Sequence, residues 1–188
     1  MQPIPKYLKE ILKISNEIIS EFEVAGKIIC NCGCENFTVK YVGDNSEYET
    51  ENVIKVTEID EMWYLIVEVE CINCRSSHLI FDKDFHGWNG FVCGEHSKKL
   101  ERPKSRTWKC NKCTNTSHSI SIKINSGGIQ DFIEETQGGF DKNDWIEAFG
   151  WITISTECRS CNKKIKNGFH MKQCKKANAQ QGFHAIGG

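Results

Sequence analysis

Eleven cysteines in 188 residues are the strongest chemical signal in this chain. Six of them form three C-x2-C pairs, Cys71-Ile-Asn-Cys74, Cys110-Asn-Lys-Cys113 and Cys158-Arg-Ser-Cys161. A fourth cluster, Cys30-Asn-Cys32-Gly-Cys34, is irregular. Two cysteines spaced this way in a tight turn aim both sulfurs at one ion, and two such turns complete a tetrahedron of thiolates. Soft thiolate ligands in that geometry favour zinc, with iron as the competitor. The expected sites are Cys110, Cys113, Cys158 and Cys161, and Cys30, Cys32, Cys71 and Cys74, holding two Zn2+ per chain. In the irregular cluster, Gly33 follows Cys32 and can turn with positive φ, a freedom Glu35 after Cys34 lacks. Cys30 and Cys32 are therefore the expected ligands, with Cys34 as the alternative.

Four protein ligands close a zinc shell and leave no position for an activated water. The chain has no His-Glu-x2-His, no phosphate-binding glycine loop, no Gly-x-Ser-x-Gly and no zinc-deaminase signature. The C-x2-C pairs lack the βαβ surroundings of a redox dithiol. A non-catalytic protein with no small-molecule substrate is expected. Cys93-Gly-Glu-His96 and His170-Met-Lys-Gln-Cys174 have ligand-like spacing, but ordinary thiols and surface histidines account for them.

The N-terminal stretch carries a charge every three or four residues and has no continuous apolar segment. Neither a signal peptide nor a membrane span is expected, and the cysteines belong in a reducing cytoplasm, where pairs bind metal more often than they form bridges.

The cysteines order the chain as two units, each opening on one cluster and closing on a C-x2-C. The lead-in Ile59–Cys71 superposes without a gap on Ile146–Cys158 at an offset of 158 − 71 = 87, matching Ile59/Ile146, Glu70/Glu157 and both closing pairs. Duplication is the reading. Apolar Leu8, Ile11, Leu12, Ile18, Ile19 and Phe22 at helical spacing predict a helix over about 5–22. Strands are expected over 37–42, 53–58, 63–70, 117–124 and 151–157. Helical segments are expected over 129–136 and 141–149.

The expected fold class is a small metal-stabilised α+β protein. It comprises an N-terminal amphipathic helix (1–27), a first zinc ribbon (28–97), a linker (98–109), a second ribbon with a helical insertion (110–174) and a flexible tail (175–188). The cysteine-flanked strands and the closing Glu-Cys-x2-Cys resemble the zinc-ribbon class, here in tandem over roughly residues 28 to 174. The chain is also similar to uncharacterised Bacillus-type proteins bearing two such ribbons behind an N-terminal helix. That resemblance implies a fold and a metal and supplies no activity. The three-cysteine opening and the helical insertion depart from it.

Net charge is −1, yet residues 1–100 carry 10 − 17 = −7 and residues 101–188 carry 14 − 8 = +6. Two partner classes follow. The first is a protein bound by the acidic half and by an aromatic loop around His86 and Trp88, whose Phe and Trp alternatively pack onto the first ribbon, in an adaptor, immunity or antitoxin-like role. The second is nucleic acid, with Lys109, Lys112, Arg159, Lys163 and Lys164 on phosphates and Trp108 stacking. Neutral net charge favours the protein partner.

Overall fold

The computed structural model describes residues 4–15, 20–45, 54–60, 62–93 and 102–172, with the side chains of 170–172 excepted. Period-two alternation of apolar and polar residues dominates these segments, and it builds strands. The strands in chain order are β1 (Leu12–Ile14), β2 (Glu23–Ile28), β3 (Phe37–Val42), β4 (Thr57–Ile59), β5 (Met62–Tyr64) and β6 (Ile66–Cys71). They continue with β7 (Ser77–Asp82), β8 (Arg106–Thr107), β9 (Ser117–Asn125), β10 (Trp151–Cys158) and β11 (Lys164–Lys172). In β9, Ile120, Ile122 and Ile124 enter the core while Ser119, Ser121 and Lys123 face outward. One helix, α1 (Ile129–Thr136), and a 3-10 turn at Lys142–Ile146 lie between β9 and β10.

The expected α+β class does not hold. Among the described residues the molecule is mostly antiparallel β, and nine strands form a single curled sheet that contains strands of both units. Strands β4 and β5 form a separate hairpin. Among the described residues the expected N-terminal helix is also absent. Residues Lys6–Leu8 make one 3-10 turn, and β1 pairs with β2 through Leu12↔Ile28, Lys13↔Lys27 and Ile14↔Gly26. The spacing of Leu8, Ile11 and Leu12 suits a helix face, but these side chains reach the core equally well from a turn followed by a strand. Pairing covers the edge of β2, and tertiary contact overrides the local pattern. The segment 175–188 and its Gly187-Gly188 end lie outside the described residues.

The offset of 87 recurs in the pairing. Glu70↔Ser77 and Val69↔His78 join β6 to β7, while Glu157↔Lys164 and Thr156↔Ile165 join β10 to β11. Both pairs also carry a register shift a few residues farther on. Phe37 of β3 faces Cys71, just as His118 of β9 faces Cys158. Phe37 and His118 then face each other, because β3 and β9 pair antiparallel at that point. The leading strands are exchanged. Strand β2, before the first cluster, adds to β9 with Lys27↔Ser121, and β8, before Cys110, adds to β3 with Thr107↔Lys40. These correspondences describe a local two-fold relation, the self-complementary contact that two copies of one surface make.

One core cluster runs from Leu8 and Ile28 through Phe37, Val69 and Ile80 to Ile120, Ile154 and Phe169. It includes residues of both units, so neither unit buries its apolar face alone. Near its edge, His86 stacks on Tyr7 with ring centroids 3.8 Å apart, and its Nδ1 accepts the Asp82 backbone N–H at 3.0 Å. Burial pushes the His86 imidazole down to about 4, and the Arg102 charge adds to this. A neutral buried histidine binds its proton in the unfolded chain first, so its contribution is intact above the usual histidine range near 6.5. That contribution is lost as pH falls from there toward 4. His86→Phe keeps a stacked ring without the proton, and its unfolding free energy should fall less steeply across this window, by about one proton in slope. Denaturant titrations at stepped pH measure the difference, and equal slopes would refute the assignment.

Candidate metal centres

Each C-x2-C pair sits in the same short turn. Cys71 N–H donates to Ser76 O at 2.9 Å, and Arg75 N–H returns to Cys71 O at 3.0 Å. The Cys110 turn repeats this with Asn115 and Thr114, and the Cys158 turn with Lys163 and Asn162. The residue after the second cysteine is left-handed each time, with φ of 65° at Arg75, 59° at Thr114 and 56° at Asn162. The irregular cluster is the same turn shortened by one residue. Cys30 N–H donates to Cys34 O at 2.9 Å, Gly33 N–H donates to Cys30 O at 2.8 Å, and Gly33 has φ of 82°.

Gly33→Ala tests that shortened turn. Nothing lies within 4 Å of a Cβ built there, so the cost is conformational alone, about 1–2 kcal/mol for a left-handed non-glycine residue. A lower thermal midpoint and weaker metal retention at the first centre are expected, with the second centre unaffected. Competition against a chromophoric chelator measures this.

The four turns bring eight sulfurs into two groups. Cys30, Cys32, Cys71 and Cys74 lie with their Sγ atoms within 4.8 Å of one another, and so do Cys110, Cys113, Cys158 and Cys161. Each group can hold a metal ion. In the first, Cys30 Sγ is 3.5 Å from Cys74 Sγ and Cys32 Sγ is 3.6 Å from Cys71 Sγ. In the second, Cys110 to Cys161 is 3.6 Å and Cys113 to Cys158 is 3.5 Å. A tetrahedron with metal–sulfur bonds of about 2.3 Å has edges of about 3.8 Å, so the donor sets fit such an ion with little adjustment.

Backbone amides already point at the sulfurs. Burial pushes the Cys71 thiol up to about 12, against the pull of the Cys74 and Asn73 N–H groups. The Ser76 hydroxyl and backbone N–H bring Cys74 down to about 6. At Cys110, burial is outweighed by the Lys112 and Cys113 N–H groups, and the thiol falls to about 7. Thiolates are the metal-binding form, and hydrogen bonds to sulfur favour them. Cys30 has two further neighbours, Ser76 Oγ at 3.2 Å and His78 Nε2 at 3.6 Å. These second-sphere partners were not read from the sequence.

Cys34 is apart from the first group. Its sulfur lies 3.5 Å from Asn36 O and 3.4 Å from Asn36 N, packed against the core. Cys93 is exposed, while His96 and Cys174 lie outside the described residues.

The two groups are joined by one row of the sheet. Cys71, Phe37, His118 and Cys158 face one another in turn across β6, β3, β9 and β10, and none is more than 1% exposed. Three strand spacings separate the outer cysteines by about 14 Å. His118 Nδ1 lies 3.0 Å from Thr116 O, its Nε2 has no hydrogen-bond partner, and burial lowers its pKa.

The expected partner residues divide into exposed and buried. Trp88 is 5% exposed and meets Phe132 of α1 edge-on with centroids 6.2 Å apart, so it anchors the loop to the fold. His86 is occupied by Tyr7, as described above. Asp82 and Asp84 are buried in the same turn, where Asp82 accepts the Asp84 N–H and pairs with Arg102. Trp108 is 2% exposed, with the Phe169 and Tyr41 rings 5.1 Å and 5.9 Å away, and cannot stack a base. Its place before the Cys110 turn gave no sign of this, because the rings that cover it are distant in sequence.

Lys109, Lys112, Arg159 and Lys164 are exposed, and Lys163 is half-buried. The Lys112 and Arg159 turns meet at the second sulfur group. A divalent ion with four thiolates carries a charge of about −2, which these cations offset. Lys164 additionally pairs with Glu157 at 3.7 Å. Among the described residues the large exposed aromatics are instead Trp63 on the β4–β5 hairpin, 53% exposed, Phe85, 48% exposed, and Phe140, 37% exposed.

No helix among the described residues is long and apolar enough to cross a membrane. No protein-family model matches the chain, and comparisons with curated proteins and with solved structures find no match either.

Proposed function

We propose that this chain is a non-catalytic cytoplasmic zinc protein in which two structural Zn2+ ions staple an internally duplicated β scaffold serving as a platform for a protein partner. The observation that carries this reading is the closed donor set: each sulfur group supplies four ligands and leaves no open position for substrate or water. Zinc is the ion of choice because it accepts a tetrahedral thiolate shell without redox change. Duplication is supported by the repeated turns and by the strand registers related at the offset of 87. Trp63 and Phe85, both in the acidic half, replace Trp88 and His86 as the aromatic contacts of the platform.

Metal analysis of the purified protein should give two zinc ions per chain. Cobalt substitution should give the visible bands of tetrahedral thiolate coordination. One ion per chain, or the intense colour of an iron tetrathiolate, would overturn the metal assignment. For the partner, affinity capture from the native host should lose its specific protein with Trp63→Ala and retain it with Lys112→Ala. Equal capture by both variants would reject the aromatic platform.

A further inference from the structure

The two related halves of the sheet treat their outer faces differently. On the first unit the outer face is covered. Val42 and Ile66 pack with Tyr64 of the β4–β5 hairpin, Glu68 pairs with Arg102 at 3.1 Å, and Glu70 pairs with Lys40 at 2.6 Å. The corresponding places on the second unit hold Lys123, Thr153, Ser155 and Glu157, and no hairpin covers them among the described residues. A groove of about 920 Å³ lies over this face, bounded on one side by β1.

Its lining combines three lysines and several hydroxyls with apolar Ile14, Ala25 and Ile29 and one indole, Trp151. Lys13 and Lys27 are exposed and directly opposite each other across β1 and β2. Like charges so placed repel, and no carboxylate faces either of them in that row, which continues to Ser121 and Ser155. Lys123 pairs with Glu23 and also sits 5.4 Å from the Trp151 ring centroid, so a cation and an aromatic surface are presented together. By strand rise and spacing, Lys27 and Trp151 are about 16 Å apart across the open sheet.

We propose that this groove binds single-stranded nucleic acid, with Lys13 and Lys27 on successive phosphates, Ser121 and Ser155 as hydroxyl donors, and Trp151 with Lys123 receiving a base. A shallow sheet face carrying cations and an aromatic ring fits a strand whose phosphates and base faces are both accessible. An acidic peptide would satisfy the lysines alone. The surface is separate from the cationic turns around the second sulfur group and goes beyond the protein-platform reading.

Fluorescence anisotropy tests this with the zinc-loaded full chain and short labelled single-stranded RNA, single-stranded DNA and duplex of one sequence. Single strands should bind at low ionic strength, more tightly than the duplex. Log affinity should fall with log salt at a slope of about −1.4 for two phosphates. Binding of RNA alone assigns a contact to the 2′-hydroxyl, and binding of both assigns recognition to phosphate and base; either supports the site. Lys13→Glu with Lys27→Glu should weaken binding roughly tenfold or more at unchanged zinc content and melting midpoint. Lys104→Glu with Lys142→Glu, both exposed and outside the groove, should leave binding as it was. Should the double change disturb β1, Lys27→Gln alone still predicts weaker binding and a shallower salt slope. The proposal fails if neither single strand binds, if the Lys13 and Lys27 variants bind as tightly as the parent, or if polyglutamate of equal charge binds as tightly as the oligonucleotide.

Discussion

Removing both metal ions should abolish the cooperative thermal transition and most of the far-ultraviolet β signal at room temperature. Structural zinc contributes about 10–16 kcal/mol in zinc-finger peptides, whereas the whole stability of a folded domain is about 5–15 kcal/mol. The shared core here does include large side chains such as Phe37, Phe81, Phe149 and Phe169. Its burial, however, is offset by the chain entropy of ordering many short strands, so it provides no surplus to replace two ions. Cys71 and Cys158 lie inside that core, and losing the ion releases the turns that anchor β6, β7, β10 and β11. A strong chelator followed by circular dichroism measures the effect, and returning zinc should restore both signals. A melting curve unchanged by chelation, with the ions demonstrably gone, would reject the structural role of the metal.

Phe37→Ala should weaken both metal centres although Phe37 binds neither ion. Its side chain is wholly buried and faces Cys71 on one flank and His118 on the other, with Cys158 next in the row. Truncating a buried phenylalanine costs about 3–5 kcal/mol, the lost transfer energy plus the cavity left behind. That cost falls where the strands of the two units meet, so both cages lose part of their support. Zinc release into a chromophoric chelator should accelerate for both ions and proceed in one phase. Phe140→Ala provides the comparison, since Phe140 is 37% exposed and its truncation should change little. If only the first centre is weakened in Phe37→Ala, the two cages are energetically independent and the coupling is refuted.

The two sulfur groups were legible before folding because the turns that build them are local. A C-x2-C turn closes with hydrogen bonds inside six residues, and Gly33 marks the shortened version through a backbone angle that belongs to one residue. Strand β3 and helix α1 were likewise legible to the residue, because alternation in Phe37–Val42 and helical spacing in Ile129–Thr136 are properties of short windows. The N-terminal segment was not legible. Leu8, Ile11 and Leu12 serve a helix face or a turn and strand equally, and the free edge of β2 decided between them. Trp108 was misread as available surface, and the packed reading of the Trp88 loop is the one that holds; the rings that bury them, Phe132 and Phe169, are remote along the chain.

By itself the sequence pointed to two groups of four sulfurs, with Cys34 left as an alternative in the first, and to strands such as β3, β9 and β10, since each follows from spacing over a few residues. Only the tertiary structure decided that β2 and β8 cross to the opposite unit, that the two sulfur groups share one buried row, and that, among the described residues, no hairpin covers one outer sheet face while one covers its counterpart. The reason is that strand pairing satisfies backbone hydrogen bonds with partners far away in sequence, and which edge meets which depends on how the whole chain buries its apolar faces.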